Sequence, residues 1–352
     1  LAIIDDIGTR PWGKGDTPMV LILSPTRELA QQIDEIIREY GKYVNTRSVV
    51  VVGGVSSAQQ INKIRQGVDF VVATPGRLID LVEQRELDLR DVEFFILDEA
   101  DRMLDMGFVH DVRRISDWVP RPRQTLLFSA TMTSQVASLA STVQTNAQTV
   151  SVAPPATVAD NIDQRVMYVD KADKPELLLD LLRHDDTEHT LVFTGTRVAA
   201  AMVTRHLEVN GVKASAIHSD KSQSQRQRAL EAFTKGKIKV LVATDIVARG
   251  IDVDGISHVI NYELPDDAEN YIHRIGRTAR AGRAGVAVSL CCINDVPQLR
   301  GVENLLKKPL EVIEEHEYHS PTVMACVSAS AKAARTRARA GKGRSSGSKW
   351  AR

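Results

Sequence analysis

A two-domain α/β protein built on parallel sheets is what this 352-residue sequence predicts, and three observations predict it. Short apolar, β-branched runs alternate with amphipathic helical patterns along most of the chain. The alternation breaks once, at Ser151-Val152-Ala153-Pro154-Pro155-Ala156-Thr157, where paired prolines and the lack of a helical period mark a linker. Polar clusters fall just past the carboxyl ends of the apolar runs, which is where open α/β sheets bind ligands.

The apolar runs in the first half cover residues 19–23, 48–52, 70–73, 92–97 and 125–128. Those in the second half cover residues 164–169, 190–193, 213–217, 239–243, 258–261 and 286–290. Most are apolar throughout, so they read as strands buried on both faces of a parallel sheet. Helices are expected over 28–40, after Pro25-Thr26, and over 58–66, after Ser56-Ser57. Two more, over 198–210 and 223–235, should stop at Gly211 and Gly236. Residues 298–316 are expected to form a helix on the second domain, and the Ala/Ser/Gly/Arg-rich segment from about Ser320 to be disordered.

Composition narrows the function classes. Hydrophobic residues make up 43% and charged residues 26%, enough apolar content for sizeable cores. The formal net charge is zero, yet no acid follows Glu317, while Lys332, Arg335, Arg337, Arg339, Lys342, Arg344, Lys349 and Arg352 are basic. An acidic body with a basic tail is a pattern of nucleic-acid-binding arms, and a merely solvated tail is the alternative. Cys291, Cys292 and Cys326 have neither zinc-ligand spacing nor an even count, so buried thiols in a reducing cytosol are expected. No apolar run approaches the roughly 20 residues that span a bilayer, and no signal peptide is recognisable.

Two segments carry the chemistry. The apolar run at 92–97 stops abruptly at Asp98-Glu99-Ala100-Asp101, putting acids at a strand end where they could hold hydrated Mg²⁺ and polarise a water. In His273-Arg274-Ile275-Gly276-Arg277-Thr278-Ala279-Arg280-Ala281-Gly282, three arginines at i, i+3 and i+6 are expected on one helical face. Guanidinium groups fork onto phosphate oxygens, so such a row suits a polyphosphate clamp.

These segments occur in order with Pro25-Thr26-Arg27-Glu28-Leu29-Ala30, Thr74-Pro75-Gly76-Arg77, Ser129-Ala130-Thr131 and the run from Ala243 to Asp252. In sequence and order the chain, over roughly residues 15–300, resembles the DEAD-box RNA helicases. Phe108, after Asp105-Met106-Gly107, and the basic tail resemble the bacterial RhlE-type subgroup. The resemblance implies two tandem RecA-like domains. Residues 1–152 would be the ATP-binding domain without its amino-terminal part, 153–160 a linker, and 161–297 the helicase C-terminal domain. Residues 298–319 would be a helical extension and 320–352 the basic tail.

The resemblance also implies roles. ATP and Mg²⁺ would be bound, Asp98 holding the metal through water and Glu99 orienting and deprotonating the attacking water. Arg277 and Arg280 would act as arginine fingers, and Asp252 would contact the ATP ribose. His273 and Asp101 would meet Ser129 and Thr131 in a coupling network. RNA contacts would come from Pro25, Thr26, Arg27, Gly53, Gly54, Thr74, Gly76 and Arg77 in the first domain. In the second they would come from Thr194, Gly195, Gln223, Arg226, Thr244 and Arg249. Hydroxyls, glycine amides and arginines read a sugar–phosphate backbone rather than base edges, so sequence-independent binding is expected. A monomeric, cytoplasmic protein with no membrane contact completes the expectation.

One family element is missing. No Gly-Lys in the sequence is followed by Ser or Thr, so a phosphate-cradling loop is not recognisable. With Leu1 as first residue, an amino-terminally truncated, inactive form is expected, with an exposed sheet edge beside the strand that precedes Asp98. The isolated first domain should then be poorly stable and residues 160–300 should fold alone. A replacement at Ala279, where glycine is commoner, is expected to be tolerated on a helix. Two other readings remain: a non-catalytic RNA-binding protein, and a DNA helicase of the same superfamily.

Overall fold

The computed structural model describes residues 2–8, 17–44, 46–151, 162–183, 187, 189–245, 253, 255–279 and 284–342. The chain divides between Val152 and Ala153 into two compact units, inside the segment expected to be a linker.

In the first unit the helices are α1 (Ala2–Gly8), α2 (Arg27–Gly41), α3 (Ser57–Arg65), α4 (Pro75–Glu83), α5 (Ala100–Asp105), α6 (Val109–Trp118) and α7 (Ser134–Val143). The strands are β1 (Val20–Leu23), β2 (Ser48–Val51), β3 (Phe70–Ala73), β4 (Phe94–Leu97) and β5 (Gln124–Leu127), ordered β2-β3-β1-β4-β5 and all parallel. Alternation along the strands divides the core. Leu21, Leu23, Val71, Ala73, Phe95 and Leu97 face the helices α3 to α7. Val20, Ile22, Phe70 and Val72 face α1 and α2, whose Ile4, Ile7 and Ile37 complete that layer. Central strands β1 and β3 are buried along their whole length, as a covered parallel sheet requires.

The expected exposed edge lies elsewhere. Strand β4, leading into Asp98, is paired on both sides, by β1 and β5. The edge on that side of the sheet is β5, whose residues are only partly covered, and a groove of about 980 Å³ runs along it, lined by residues from Arg121–Phe128 and Val143–Val150.

The second unit holds β6 (Ile162–Tyr168), α8 (Lys174–Arg183), β7 (Thr190–Thr194), α9 (Arg197–Val209), β8 (Ala214–Ile217), α10 (Gln223–Thr234), β9 (Val240–Thr244) and β10 (His258–Asn261). These are followed by α11 (Ala268–Ile275), β11 (Gly285–Cys291), α12 (Val296–Leu306), β12 (Glu311–Ile313) and α13 (Pro321–Lys342). Its parallel sheet is ordered β12-β6-β11-β10-β7-β9-β8. Helices α8 and α9 cover one face, through Leu177, Leu178, Leu182, Val203 and Leu207. Helices α11, α12 and α13 cover the other, through Tyr271, Ile275, Leu299, Val302, Val323 and Val327.

Gly211 and Gly236 follow their helices at φ 82° and 66°, the left-handed stops their positions predict. Three expectations are corrected. The segment 298–316 is not one helix, because α12 ends at Leu306 and 311–313 add a strand beside β6. Within the segment expected to be disordered, Pro321–Lys342 is helical, since Val323 and Val327 give its first turns an apolar face to bury, and residues 343–352 lie outside the described residues. Residue Ala279 lies past the end of α11 at φ 56°, not on a helix.

That last difference carries a prediction. A left-handed alanine costs roughly 1–2 kcal/mol, and glycine returns about 0.5–1 kcal/mol of that through unfolded-state entropy. Ala279→Gly is therefore expected to stabilise the second domain by about 0.5–1 kcal/mol, measured as a rise in the denaturant midpoint without a change in slope.

Candidate functional site

All five strands of the first sheet end at one level. Val51, Ala73, Leu23, Leu97 and Leu127 are in register across β2, β3, β1, β4 and β5. The candidate residues therefore follow one another along a single rim. Gly53-Gly54, Thr74–Arg77 and Pro25–Arg27 follow the three adjacent strands β2, β3 and β1. Asp98–Asp101 and Ser129–Thr131 follow the next two. One side of the rim offers hydroxyls, amides and guanidinium groups, and the other side offers acids.

On the first side, Thr26 caps α2, accepting from the Leu29 amide at 3.4 Å, which stabilises the helix by about 1 kcal/mol. The Arg27 guanidinium lies against Gly53 and Gly54. A Cβ at Gly53 would stand 3.3 Å from Arg27 Nη2, and one at Gly54, which has φ 74°, would collide with the guanidinium. Small residues here let the arginine lie flat on the backbone. Gly76, in the first turn of α4, is exposed, with open space where a side chain would stand. Arg77 bonds the Ser57 hydroxyl and pairs with Asp80 at 3.6 Å.

On the second side, Glu99 is the N-cap of α5 in the left-handed region, φ 51° and ψ 55°. A non-glycine residue held there is strained by about 1–3 kcal/mol, and such strain collects at functional sites. Its amide donates to Asp98 Oδ1 at 3.1 Å, and its Oε2 pairs with buried Arg102 Nη1 at 2.5 Å. Burial, then the charge of Glu99 and that of Asp101, push the Asp98 carboxyl above the usual carboxylate range, against an opposing bond from the Glu99 amide.

Asp101 is tied to the next strand end. Its Oδ2 accepts from the Thr131 amide at 2.9 Å and the Thr131 hydroxyl at 3.2 Å. Its own amide donates to Ser129 Oγ at 3.3 Å, and Ser129 Oγ donates to the Thr131 carbonyl at 2.7 Å. Thus Asp101, Ser129 and Thr131 form one hydrogen-bonded unit. His273, the fourth expected member, lies in the other unit, on α11.

Three acids at one turn, Asp98, Glu99 and Asp101, suit a hydrated divalent cation. Among the described residues no group of three or more His, Cys, Asp or Glu side chains could encage a metal ion. Mg²⁺ needs no such cage, since it keeps several waters and takes one or two carboxylates together with substrate phosphates.

In the second sheet Thr194 and Thr244 are level at the ends of β7 and β9. Thr194 is fully buried, with its hydroxyl donating to the Thr196 carbonyl at 3.2 Å. The Gly195 amide is engaged by the Glu263 carboxylate at 2.6 Å. Gln223 and Arg226 are buried in the first turn of α10, behind a capping box formed by Ser222 and Gln225. Arg249, Asp252 and Arg280 lie outside the described residues.

The row of arginines is corrected. Helix α11 ends at Ile275, so Arg277 leaves the helical face and its Nε donates to the His273 carbonyl at 3.3 Å. Arg274 points inward and is 2% exposed. It forks onto Asp245 at 2.5 and 2.7 Å and donates to Asn261 Oδ1 at 3.0 Å and the Glu263 carbonyl at 2.6 Å. Its guanidinium also stacks 4.9 Å above the Phe193 ring. Sequence reasoning missed two partners, Arg102 and Glu263, and gave Asp245 no role beyond its place at a strand end. Only Arg102 had a local signal, its position at i+3 from Glu99 in a short helix.

Known proteins share the sequence and fold of this chain. Residues 1–139 match the DEAD/DEAH box helicase family, and residues 173–282 match the helicase conserved C-terminal domain. An ATP-dependent RNA helicase named dbp2 from Sclerotinia sclerotiorum is 42% identical over 305 residues, covering 85% of this chain and 53% of that protein. DBP2 of Chaetomium thermophilum is 40% identical over 306 residues, covering 85% and 55%. The chain thus spans about half the length of the curated relatives it matches. These relatives are fungal and give no support to the RhlE-type placement. Among solved structures, S. cerevisiae Dbp5 bound to RNA and ADP BeF3 is 32% identical with a TM-score of 0.78, covering 89% of this chain and 81% of that one. Mss116p bound to ssRNA and AMP-PNP is 27% identical with a TM-score of 0.74, covering 92% and 70%. With both family matches in sequence order, and this likeness over most of a solved relative, the chain belongs to the DEAD-box RNA helicase family.

Proposed function

We propose that the protein is an ATP-dependent RNA helicase, coupling ATP hydrolysis to local unwinding of RNA duplexes through closure of two RecA-like domains. The observation that carries the reading is the single rim of the first sheet, where backbone-reading residues and the acid cluster occupy neighbouring strand ends. Asp98 holds Mg²⁺ through water, Glu99 positions and deprotonates the attacking water, and Asp101 relays the state of that turn to Ser129 and Thr131. Arg277 and Arg280 serve as arginine fingers, and Asp252 contacts the ribose. The candidate residues after β2, β3 and β1, with Thr194, Gly195, Gln223, Arg226, Thr244 and Arg249, contact the RNA backbone without reading sequence. The basic tail adds electrostatic affinity, and the protein works as a cytoplasmic monomer.

RNA-stimulated phosphate release tests the reading. It is to be measured on this chain and on a form extended upstream through a Gly-Lys-Ser/Thr loop. RNA binding without phosphate release in either form would favour the non-catalytic reading, which the lack of a recognisable Gly-Lys-Ser/Thr in these residues supports. Stronger stimulation by DNA than by RNA would favour the DNA helicase.

The raised Asp98 carboxyl adds a pH prediction. Protonation competes with Mg²⁺, and the proton leaves this carboxyl at a higher pH than an ordinary aspartate, so Mg²⁺ affinity should fall with acidification before ordinary carboxylates titrate. Isothermal titration with MgCl₂ between about pH 4 and pH 7 checks this, and Asp98→Asn should remove both the binding and its pH dependence.

A further inference from the structure

A buried imidazole stands in the same row as the strand-end threonines of the second sheet. His218 directly follows β8, whose Ile217 is level with Ala243 of β9. His218 is therefore level with Thr244, which is itself level with Thr194. Neighbouring strands lie about 4.8 Å apart, so the three residues form a rank roughly 10 Å long. Alternation places all three on the face covered by α9, since Val192, Val242 and Ala214, each an even number of residues before them, belong to that core.

His218 is 6% exposed, and neither ring nitrogen has a hydrogen-bond partner among the described residues. Buried polar groups are almost always bonded, so each exception calls for an explanation. The charged groups that act on the ring are Lys221 and Asp220 from the turn after β8, Arg197 from the first turn of α9, and Arg226 from the first turn of α10. Asp220, the one acid among them, is paired with Arg197 at 2.7 Å. Burial and the surrounding cations hold the imidazole below its ordinary pKa, so it rests neutral. An anion entering this row would satisfy the ring and offset the crowded positive charge.

We propose that His218 is an RNA-positioning residue of the second domain, gripping a backbone phosphate as an imidazolium beside Thr244 and Arg226 and taking up one proton from solvent as RNA binds. The proposal rests on the RNA-binding reading above. Both ring nitrogens are covered in this structure, so the grip includes rotation of the covering side chains. The sign of the linkage follows. The neutral ring is favoured without RNA and the charged ring with it, so affinity must rise as pH falls through the imidazole range.

The test is fluorescence anisotropy of a labelled oligouridylate with the full chain at pH 8 and pH 6. Wild-type affinity is expected to rise by about fivefold to tenfold toward pH 6, the size one proton can supply. His218→Gln, which keeps a neutral donor of similar size, should bind near the wild-type level at pH 8 and show little pH slope. At pH 6 its dependence of log affinity on log salt should be shallower by about 0.7, one single-strand phosphate contact. A merely structural histidine would leave both slopes unchanged. A wild-type affinity that does not change with pH, or a slope that survives in His218→Gln, overturns this proposal alone. Failure of the wild type to bind the RNA at either pH overturns it together with the RNA-binding reading.

Discussion

Replacing Arg274 with methionine is expected to destabilise the second domain by about 3 kcal/mol, near the low end for breaking a buried ion pair. The guanidinium is 2% exposed and holds Asp245, Asn261 Oδ1 and the Glu263 carbonyl at once. Methionine fills the volume and forms none of these bonds. The low end applies because the Asp245 side chain is 25% exposed, so water can reach the abandoned carboxylate. For a domain of this size the melting temperature should fall by roughly 6–12 °C. Arg274→Lys should recover only part of the loss, because an ammonium cannot fork onto both Asp245 oxygens. Asp245→Asn added to Arg274→Met should recover part as well, since it removes the unpaired charge. If the double variant is no more stable than Arg274→Met alone, the charge on Asp245 is not the source of the cost. The loss should also reach the proposed RNA contacts, because Arg274 ties the residue after β9 to the backbone at Glu263, whose carboxylate holds the Gly195 amide.

Arg274 also shows where sequence reading stops. The spacing Arg274, Arg277, Arg280 is helical, and the charge pattern resembles a clamp. Yet a helix must bury one side against its sheet, and here Arg274 falls on the buried side while the helix ends one residue later. The one local signal of that ending is Gly276, directly after Ile275, and it stands at φ −65° rather than in the left-handed region where Gly211 and Gly236 stop their helices. The strand ends were legible for the opposite reason. Apolar runs such as Val20–Leu23 and the first four residues of β9 need cover on both faces, so their boundaries lie at or within a residue of the change from apolar to polar residues. The five strand ends could be placed from the sequence, but their common register could not, because register depends on pairing between distant segments. The same limit misplaced the open edge. Nothing local in Phe94–Leu97 or Gln124–Leu127 says which is flanked on both sides, although the weaker apolar pattern of Gln124–Leu127 agrees with its place at the edge.

Glu99→Gln is expected to lower RNA-stimulated phosphate release by about 10²–10⁴-fold, the usual contribution of a positioned general base. The geometry makes the substitution a clean one. Glu99 sits in the left-handed region at the turn from β4 to α5, and the strain there belongs to the backbone, which glutamine would share. The bond from the Glu99 amide to Asp98 survives the change, and glutamine Oε1 can still accept from Arg102 Nη1. What disappears is the negative charge, with two consequences. The attacking water loses its base, so phosphate release falls. The Asp98 carboxyl loses a like charge, so its pKa should drop toward the usual range, and the same lost charge no longer attracts Mg²⁺, so metal affinity should fall modestly. Binding and chemistry should therefore separate: RNA affinity stays near wild type and Mg²⁺ affinity falls only modestly while turnover falls by orders of magnitude. Glu99→Ala would not separate them, because it also leaves buried Arg102 without its acid. Equal losses of binding and turnover in Glu99→Gln would make Glu99 a structural anchor for Arg102 and remove it from the chemistry.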